Sequence, residues 1–314
     1  MKLIIQPDDG LTPLVQAVRG AKKTIDIVIF RFDRAELEKA LEAAVTRGVV
    51  VRALIAHTNR GGEKILRKLE LRLLDAGVTV ARTADDLPRY HGKMLIVDDV
   101  LHVFGFNYTK LDIEKSRSFG LVTDESRLVK EAAALFEADS TRQAYSPGCD
   151  DLVVSPETSR DILSLFIKKA RKELLIYDAK ISDRLMLRLL GARAKAGVAI
   201  RMFGKVGKGA SGIDARKLPD LRLHVRAIIR DGTAAFIGSQ SLRKLELDGR
   251  REVGVIVSDE KIVKKMREVF EADWAQTSES KAAAAAADKD KDKDKEKEKE
   301  KEKDKEKEKA TSGA

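Results

Sequence analysis

The sequence predicts an α/β protein built twice from the same unit, with mixed β-sheets flanked by helices in each half and the halves packed about a pseudo-twofold axis. Three observations carry that expectation. Short apolar, β-branched runs alternate with amphipathic segments of helical length. A helix, a glycine and a strand recur in the same order in both halves, and one histidine motif opens a strand in each.

Residues 22–32 (KKTIDIVIFRF) read as a buried strand, and residues 41–55 (LEAAVTRGVVVRALI) as an amphipathic helix stopped at Gly48 and followed by a second buried strand. A basic helix over 63–74 and a strand over 78–82 come next. The second half repeats the pattern with ARKELLIYDA at 170–179 and LLGARAKAGVAIRMF at 189–203, so that Gly197 stands 149 positions after Gly48. The tetrapeptide FEAD occurs at 136–139 and again at 270–273, an offset of 134. The shorter offset places the helix over 63–74 in the first half alone. Two repeats are therefore expected over 1–147 and 148–280, parted where Ser146, Pro147 and Gly148 break the pattern.

Residues 281–314 are a third region, an alanine run and then strict alternation of Lys with Asp or Glu. On a helix its i,i+3 pairs attract and its i,i+4 pairs repel, and it has no apolar face to bury, which predicts a disordered or helical charged extension. With twelve lysines and eleven acids it is nearly neutral, so the overall excess of 61 Lys and Arg over 51 Asp and Glu belongs to the folded part. A chain 36% charged with one cysteine, Cys149, excludes a collagen and a disulfide scaffold, and no apolar run is long enough to span a membrane. The expectation is a reduced, cytoplasmic protein, peripheral at most at the inner membrane surface.

Four histidines occur, His57, His91, His102 and His224. His91 is followed by Lys93 and Asp98, and His224 by Arg226 and Asp231, so both read His-x-base-x4-Asp. Along a strand the histidine and the base share a face, which gives each half an imidazole beside a cation. A phosphodiester is an anion that resists attack, and a nucleophile, a proton donor and fixed positive charge are what its cleavage requires. Imidazoles titrating near neutrality suit the first two duties. His57 and His102 lack the motif and read as satisfied core residues. Asp98 and Asp231 are followed by Asp99 and Gly232 and also suit strand-end turns.

The doubled motif, with Gly105 and Asn107 after the first and Ser239 and Ser241 after the second, resembles the phospholipase D superfamily over essentially all of residues 1–280. That resemblance implies a catalytic set of His91, Lys93, Asp98, His224, Arg226 and Asp231, with no metal or other cofactor. One histidine would form a covalent phosphohistidine. The other would protonate the leaving alcohol and then activate water or an acceptor alcohol. Asn107, Ser239, Ser241 and Glu252 are implied as phosphate-binding or supporting residues. Similar proteins place an acid about 25 to 30 positions after each motif histidine. Glu252 fits that place for His224, whereas His91 has only Ser118, so the two imidazoles are expected to titrate differently, with the nucleophile left open. The sequence departs from the family at Arg226 for Lys, Gly105 for Ser and Ser241 for Asn. The leading expectation is a cardiolipin synthase-like enzyme that hydrolyses or transfers the phosphatidyl group of phospholipids at an anionic membrane surface. A metal-independent endonuclease on DNA or RNA is the second reading, and a non-catalytic phosphate or membrane-surface binder the third.

Overall fold

The computed structural model describes residues 1–59 and 62–279, so the expectation for 281–314 lies outside the described residues. The chain opens with β1 (Lys2–Gln6), α1 (Thr12–Gly20), β2 (Thr24–Ile29), α2 (Ala35–Thr46), β3 (Val50–Ile55), α3 (Glu63–Asp75), β4 (Thr79–Arg82), β5 (Met94–Val97), β6 (Val100–Phe104), α4 (Lys110–Glu114), β7 (Ser116–Thr123) and α5 (Ser126–Thr141). It continues with β8 (Leu152–Ser155), α6 (Ser159–Lys168), β9 (Glu173–Ile181), α7 (Arg184–Lys195), β10 (Ala199–Val206), β11 (Ile213–Arg216), β12 (Arg222–Leu223), β13 (Arg226–Arg230), β14 (Ala234–Gly238), α8 (Lys244–Asp248), β15 (Glu252–Val257) and α9 (Glu260–Ala275). Met1–Glu268 forms one compact unit, and a second begins at Val269 with the last turns of α9.

The first sheet runs β1-β7-β6-β5-β2-β3-β4 and the second β8-β15-β14-β13-β9-β10-β11, which is the same order strand for strand. In each, three strands pair in parallel (β2, β3, β4 and β9, β10, β11) and the rest antiparallel. The inner parallel strands are the buried ones, with Ile25, Ile27 and Ile29 on one face of β2 at 0% exposure and Asp26 on the other at 7%, whereas the edge strands β4 and β11 have no buried residue. Gly48 and Gly197 end α2 and α7 at φ 85° and 87°, a left-handed turn that glycine adopts without steric cost and that returns the chain to the sheet. Helix α3 seats Leu66, Leu69 and Leu73 on the first core, while β10 and β11 are joined without a helix. The sheets meet where β14 packs on β6 and β7, with Phe119 edge-on to Tyr177 at 5.6 Å. One short strand crosses over, β12 pairing in parallel with β7.

Asp98 and Asp231 occupy the turns β5–β6 and β13–β14 with left-handed φ of 50° and 55°. The Asp98 carboxylate accepts the N–H groups of Lys22, Lys23 and Thr24 at 3.0, 2.7 and 3.0 Å. Asp231 accepts those of Arg171, Lys172 and Glu173 at 3.0, 2.7 and 3.0 Å. Each tethers the start of β2 or β9 to the adjacent hairpin. Their expected place in the catalytic set is thus corrected to a structural one, because among the described residues the carboxylates accept from backbone N–H groups at the strand starts. Burial pushes both carboxyls up, yet the N–H donors outweigh it and hold them below the ordinary range.

Asparagine tolerates the left-handed turn but loses the charge. Asp98→Asn and Asp231→Asn should each lower unfolding free energy at pH 7 by about 1 kcal/mol, with turnover unchanged. A carboxyl with a depressed folded pKa adds stability above its unfolded value and loses it as pH falls through the folded one. The wild-type advantage should therefore vanish well below about pH 4, as read by denaturant unfolding at pH 7 and pH 2.

Candidate active site

His91 and Lys93 lie just ahead of β5, in a segment laced to the opposite half. The N–H groups of His91 and Gly92 donate to the Arg251 carbonyl at 2.7 and 3.0 Å, and Arg251 N–H donates to the Arg89 carbonyl at 2.9 Å. The Arg251 side chain is 7% exposed and anchored by Asp139, Glu157 and the Ser155 carbonyl. His224 precedes β13, whose first residue is Arg226. These two segments converge, so that His91, His224, Arg226, Asn107, Ser239 and Glu252 line one polar cavity of about 200 Å3.

Each imidazole faces a carboxylate from the opposite half, hydrogen-bonded for His91 and at ion-pair distance, with Nδ1 lacking a hydrogen-bond partner among the described residues, for His224. Glu252 Oε2 lies 2.8 Å from His91 Nδ1, and Asp112 Oδ2 lies 3.4 Å from His224 Nδ1. The expected pairing of Glu252 with His224 is therefore corrected. Glu252 begins β15, beside the Arg251 backbone that pins the His91 segment, and so reaches the other half's histidine. Ser118, expected to face His91, is instead buried with its hydroxyl unpaired among the described residues. It lies against Gly105, where a Cβ would come within 3.0 Å of its Oγ.

Acceptance by Glu252 fixes the proton on His91 Nδ1 and leaves the lone pair on Nε2. Lys93 Nζ sits 2.9 Å from both ring nitrogens, of which Nε2 alone has a lone pair to accept from it, and donates to the His91 carbonyl at 2.7 Å. Burial, and then the charges of Lys93, Arg226, Arg250 and Arg89, hold the His91 imidazolium pKa well below its ordinary value, so this ring is neutral. Burial, against the pull of Asp112 and helped by the charges of Lys93, Arg226 and Arg222, likewise holds His224 well below its ordinary value. Lys93 is 1% exposed and pushed down to about 7 by burial, against the pull of Glu252 and Asp112. Burial raises the Glu252 carboxyl. Phe30 stands edge-on to His91 at 4.5 Å and carries Arg31, Arg89 and Lys93 within 5.8 Å of its ring centre.

Of the supporting residues, Asn107 donates N–H and Nδ2 to Asp112 at 2.9 and 2.6 Å, leaving its buried Oδ1 unpaired among the described residues. Ser239 Oγ accepts from Val253 N–H at 3.1 Å. Ser241 does not line the cavity but stands among the supporting residues, its hydroxyl donating to Asp178, whose carboxylate also accepts Leu242 N–H at 2.7 Å. His102 is a core residue, pushed down to about 4 by burial, whereas His57 is exposed and not the core residue expected. Asp112 was missed by the motif search, as were the arginines at 31, 222, 243 and 250 that also line the cavity. A signal existed for Asp112, since it precedes Glu246 by the same 134 positions that separate the FEAD copies. Among the described residues no group of three or more His, Cys, Asp or Glu is arranged to hold a metal ion.

A family model described as the cardiolipin synthase, phospholipase D-like domain matches residues 14–140 and 205–274, well over half of the chain. The chain belongs to this phospholipase D-like family. Members of the superfamily are phosphodiesterases or phosphatidyltransferases. The mitochondrial cardiolipin hydrolase of Mus musculus is 27% identical over 150 residues, 45% of this chain and 64% of that protein, so the chain spans just under two thirds of the relative's length. Among solved structures, a polyphosphate kinase from Porphyromonas gingivalis superposes with a TM-score of 0.72 at 18% identity, over 86% of this chain and 49% of that one. A phosphatidylserine synthase from Haemophilus influenzae gives 0.64 at 10% identity over 88% and 86%. These likenesses show the phospholipase D fold of two similar α/β halves.

Lysine is charged below its pKa, so a Lys93 that must be cationic to meet phosphate predicts kcat/KM falling above about pH 7 in the free enzyme. Lys93→Arg should move that alkaline limb up by more than one pH unit in a pH–rate profile. An unmoved limb would assign it to another group.

Proposed function

We propose that this phospholipase D-like phosphodiesterase acts on phospholipids, hydrolysing the headgroup ester or transferring the phosphatidyl group through a phosphohistidine. The observation that carries the reading is the pair of histidines, one from each motif, on a single cavity with Arg226, and with Lys93 against His91. His91, neutral and oriented by Glu252, attacks phosphorus through Nε2, and the bond to the leaving alcohol breaks. His224, whose protonated form Asp112 favours, gives its proton to that oxygen. In the second step His224 takes a proton from water or an acceptor alcohol, whose oxygen displaces His91 and regenerates it. Lys93 shifts from His91 Nε2 to a non-bridging oxygen when substrate enters, which frees the lone pair as it neutralises the phosphate.

A second cavity of about 290 Å3 favours a lipid. It shares Arg31 with the catalytic cavity, reaches Asp112 behind His224, and is walled by Phe32, Ile65, Leu66 and Leu111. Ile65 and Leu111 are 61% and 50% exposed at its edge, which suits the acyl portion of a diester drawn from a bilayer surface. No described helix is long and apolar enough to cross a membrane.

Headgroup release from mixed phosphatidylcholine and phosphatidylglycerol vesicles should be seen with wild type in EDTA. It should fall at least about a thousand-fold in His91→Ala and in His224→Ala, each folded by circular dichroism. Undiminished release in either variant would remove the paired-histidine mechanism, and plasmid cleavage without lipid turnover would replace the lipid by a polynucleotide.

A further inference from the structure

More positive charge surrounds the catalytic cavity than one phosphodiester can use. A diester carries a single negative charge, and Lys93 and Arg226, one base from each motif, already answer it. Arg222 is taken up by Asp112 next to His224. Of the other arginines on the cavity, Arg31 donates to Asn59 and Arg89 lies over the Phe30 ring, whereas Arg243 and Arg250 are both bonded to the same Oε1 of Glu246, which is 3% exposed. One carboxylate thus serves two guanidiniums. Each also has a buried Nε with no hydrogen-bond partner among the described residues. A buried N–H left unpaired costs about 1–3 kcal/mol, and a charged one more, so two on one wall mark a place where an acceptor belongs.

The repeat explains how this pair arose. Glu246 is the third residue of α8, as Asp112 is of α4. Asp112 holds the histidine of the second motif, but Glu252 already holds that of the first. Glu246 is therefore released from imidazole duty and aligns two arginines instead. Planar forks held side by side by one acid match the oxygens of a phosphate group, which accept two N–H bonds from each fork.

We propose that Arg243 and Arg250, aligned by Glu246, form a second phosphate subsite, so that the preferred substrate carries another phosphate group beside the scissile diester. The proposal rests on the phosphodiesterase reading for its turnover arm, whereas its binding arm stands alone. On the lipid reading the substrate class is a phospholipid whose headgroup is itself phosphorylated.

Calorimetric titration with inorganic pyrophosphate and with orthophosphate tests the subsite directly. Wild type should bind pyrophosphate at least about ten-fold more tightly. Arg243→Ala and Arg250→Ala should each remove most of that margin while leaving orthophosphate affinity within about two-fold. Arg243→Lys, which keeps the charge but lacks Nε, should restore only part of it and guards against loss of fold. Equal affinity for the two anions in wild type, or a margin that survives both alanine variants, would overturn the proposal. In turnover, the same substitutions should raise KM for short-chain phosphatidylglycerophosphate at least about ten-fold more than they raise that for short-chain phosphatidylglycerol. Similar KM changes for both lipids would also overturn it. Absence of lipid turnover together with the pyrophosphate margin would sink the lipid reading and leave the subsite standing.

Discussion

The bond between His91 and Glu252 joins an imidazole from one half to a carboxylate from the other, and both groups are removed from water. Glu252 is at 0% exposure, so its charge is tolerable only beside cations and a hydrogen-bond donor, and Lys93 and His91 supply them. The contact sets the imidazole tautomer, aims Nε2 at the cavity and requires the two sheets to meet where β14 packs on β6 and β7. The backbone bonds from His91 and Gly92 to Arg251 repeat the same crossing one residue earlier. Either half alone would offer a histidine without its orienting acid.

Duplication supplied two copies of each part, and the copies have diverged in complementary ways. At one aligned position Glu252 survives and Ser118 does not ionise. At another Asp112 holds a histidine and Glu246 holds two arginines. The result is two imidazoles with unlike partners, His91 hydrogen-bonded to Glu252 and His224 at ion-pair distance from Asp112, which opposes the burial that lowers both rings. The strand-end aspartates, by contrast, have kept the same duty in both halves, because each β2-like strand begins with three backbone N–H groups that need acceptors.

Much of this was legible beforehand. The two similar α/β halves and the helix peculiar to the first follow from periodicities and offsets, since the burial of a strand and a glycine stop on a helix leave direct marks in sequence, whereas the order of strands in each sheet does not. The motif histidines and bases were found because their spacing recurs. The pairing of acids with histidines was not, because alignment of repeats suggests partners within a half and says nothing of which strand ends face each other across the interface. Asp112 sits on a one-turn helix too short to show a periodic face. Asp98 and Asp231 read both as members of the motif and as strand-end turn formers, and their bonds to backbone N–H groups favour the second role. Arg243 and Arg250 were hidden in a chain where so many residues are charged.

The division of labour between the two histidines is the central claim, and a trapped intermediate tests it most directly. A phosphatidyl ester with a nitrophenolate leaving group needs no proton for the first step. The His224→Ala protein should therefore still form the adduct and fail to discharge it. Mass-spectrometric mapping after an alkaline quench should place the phosphatidyl group on His91. An adduct found on His224 in the His91→Ala protein, with none on His91 in the converse experiment, would contradict the assignment and with it the role given to Glu252.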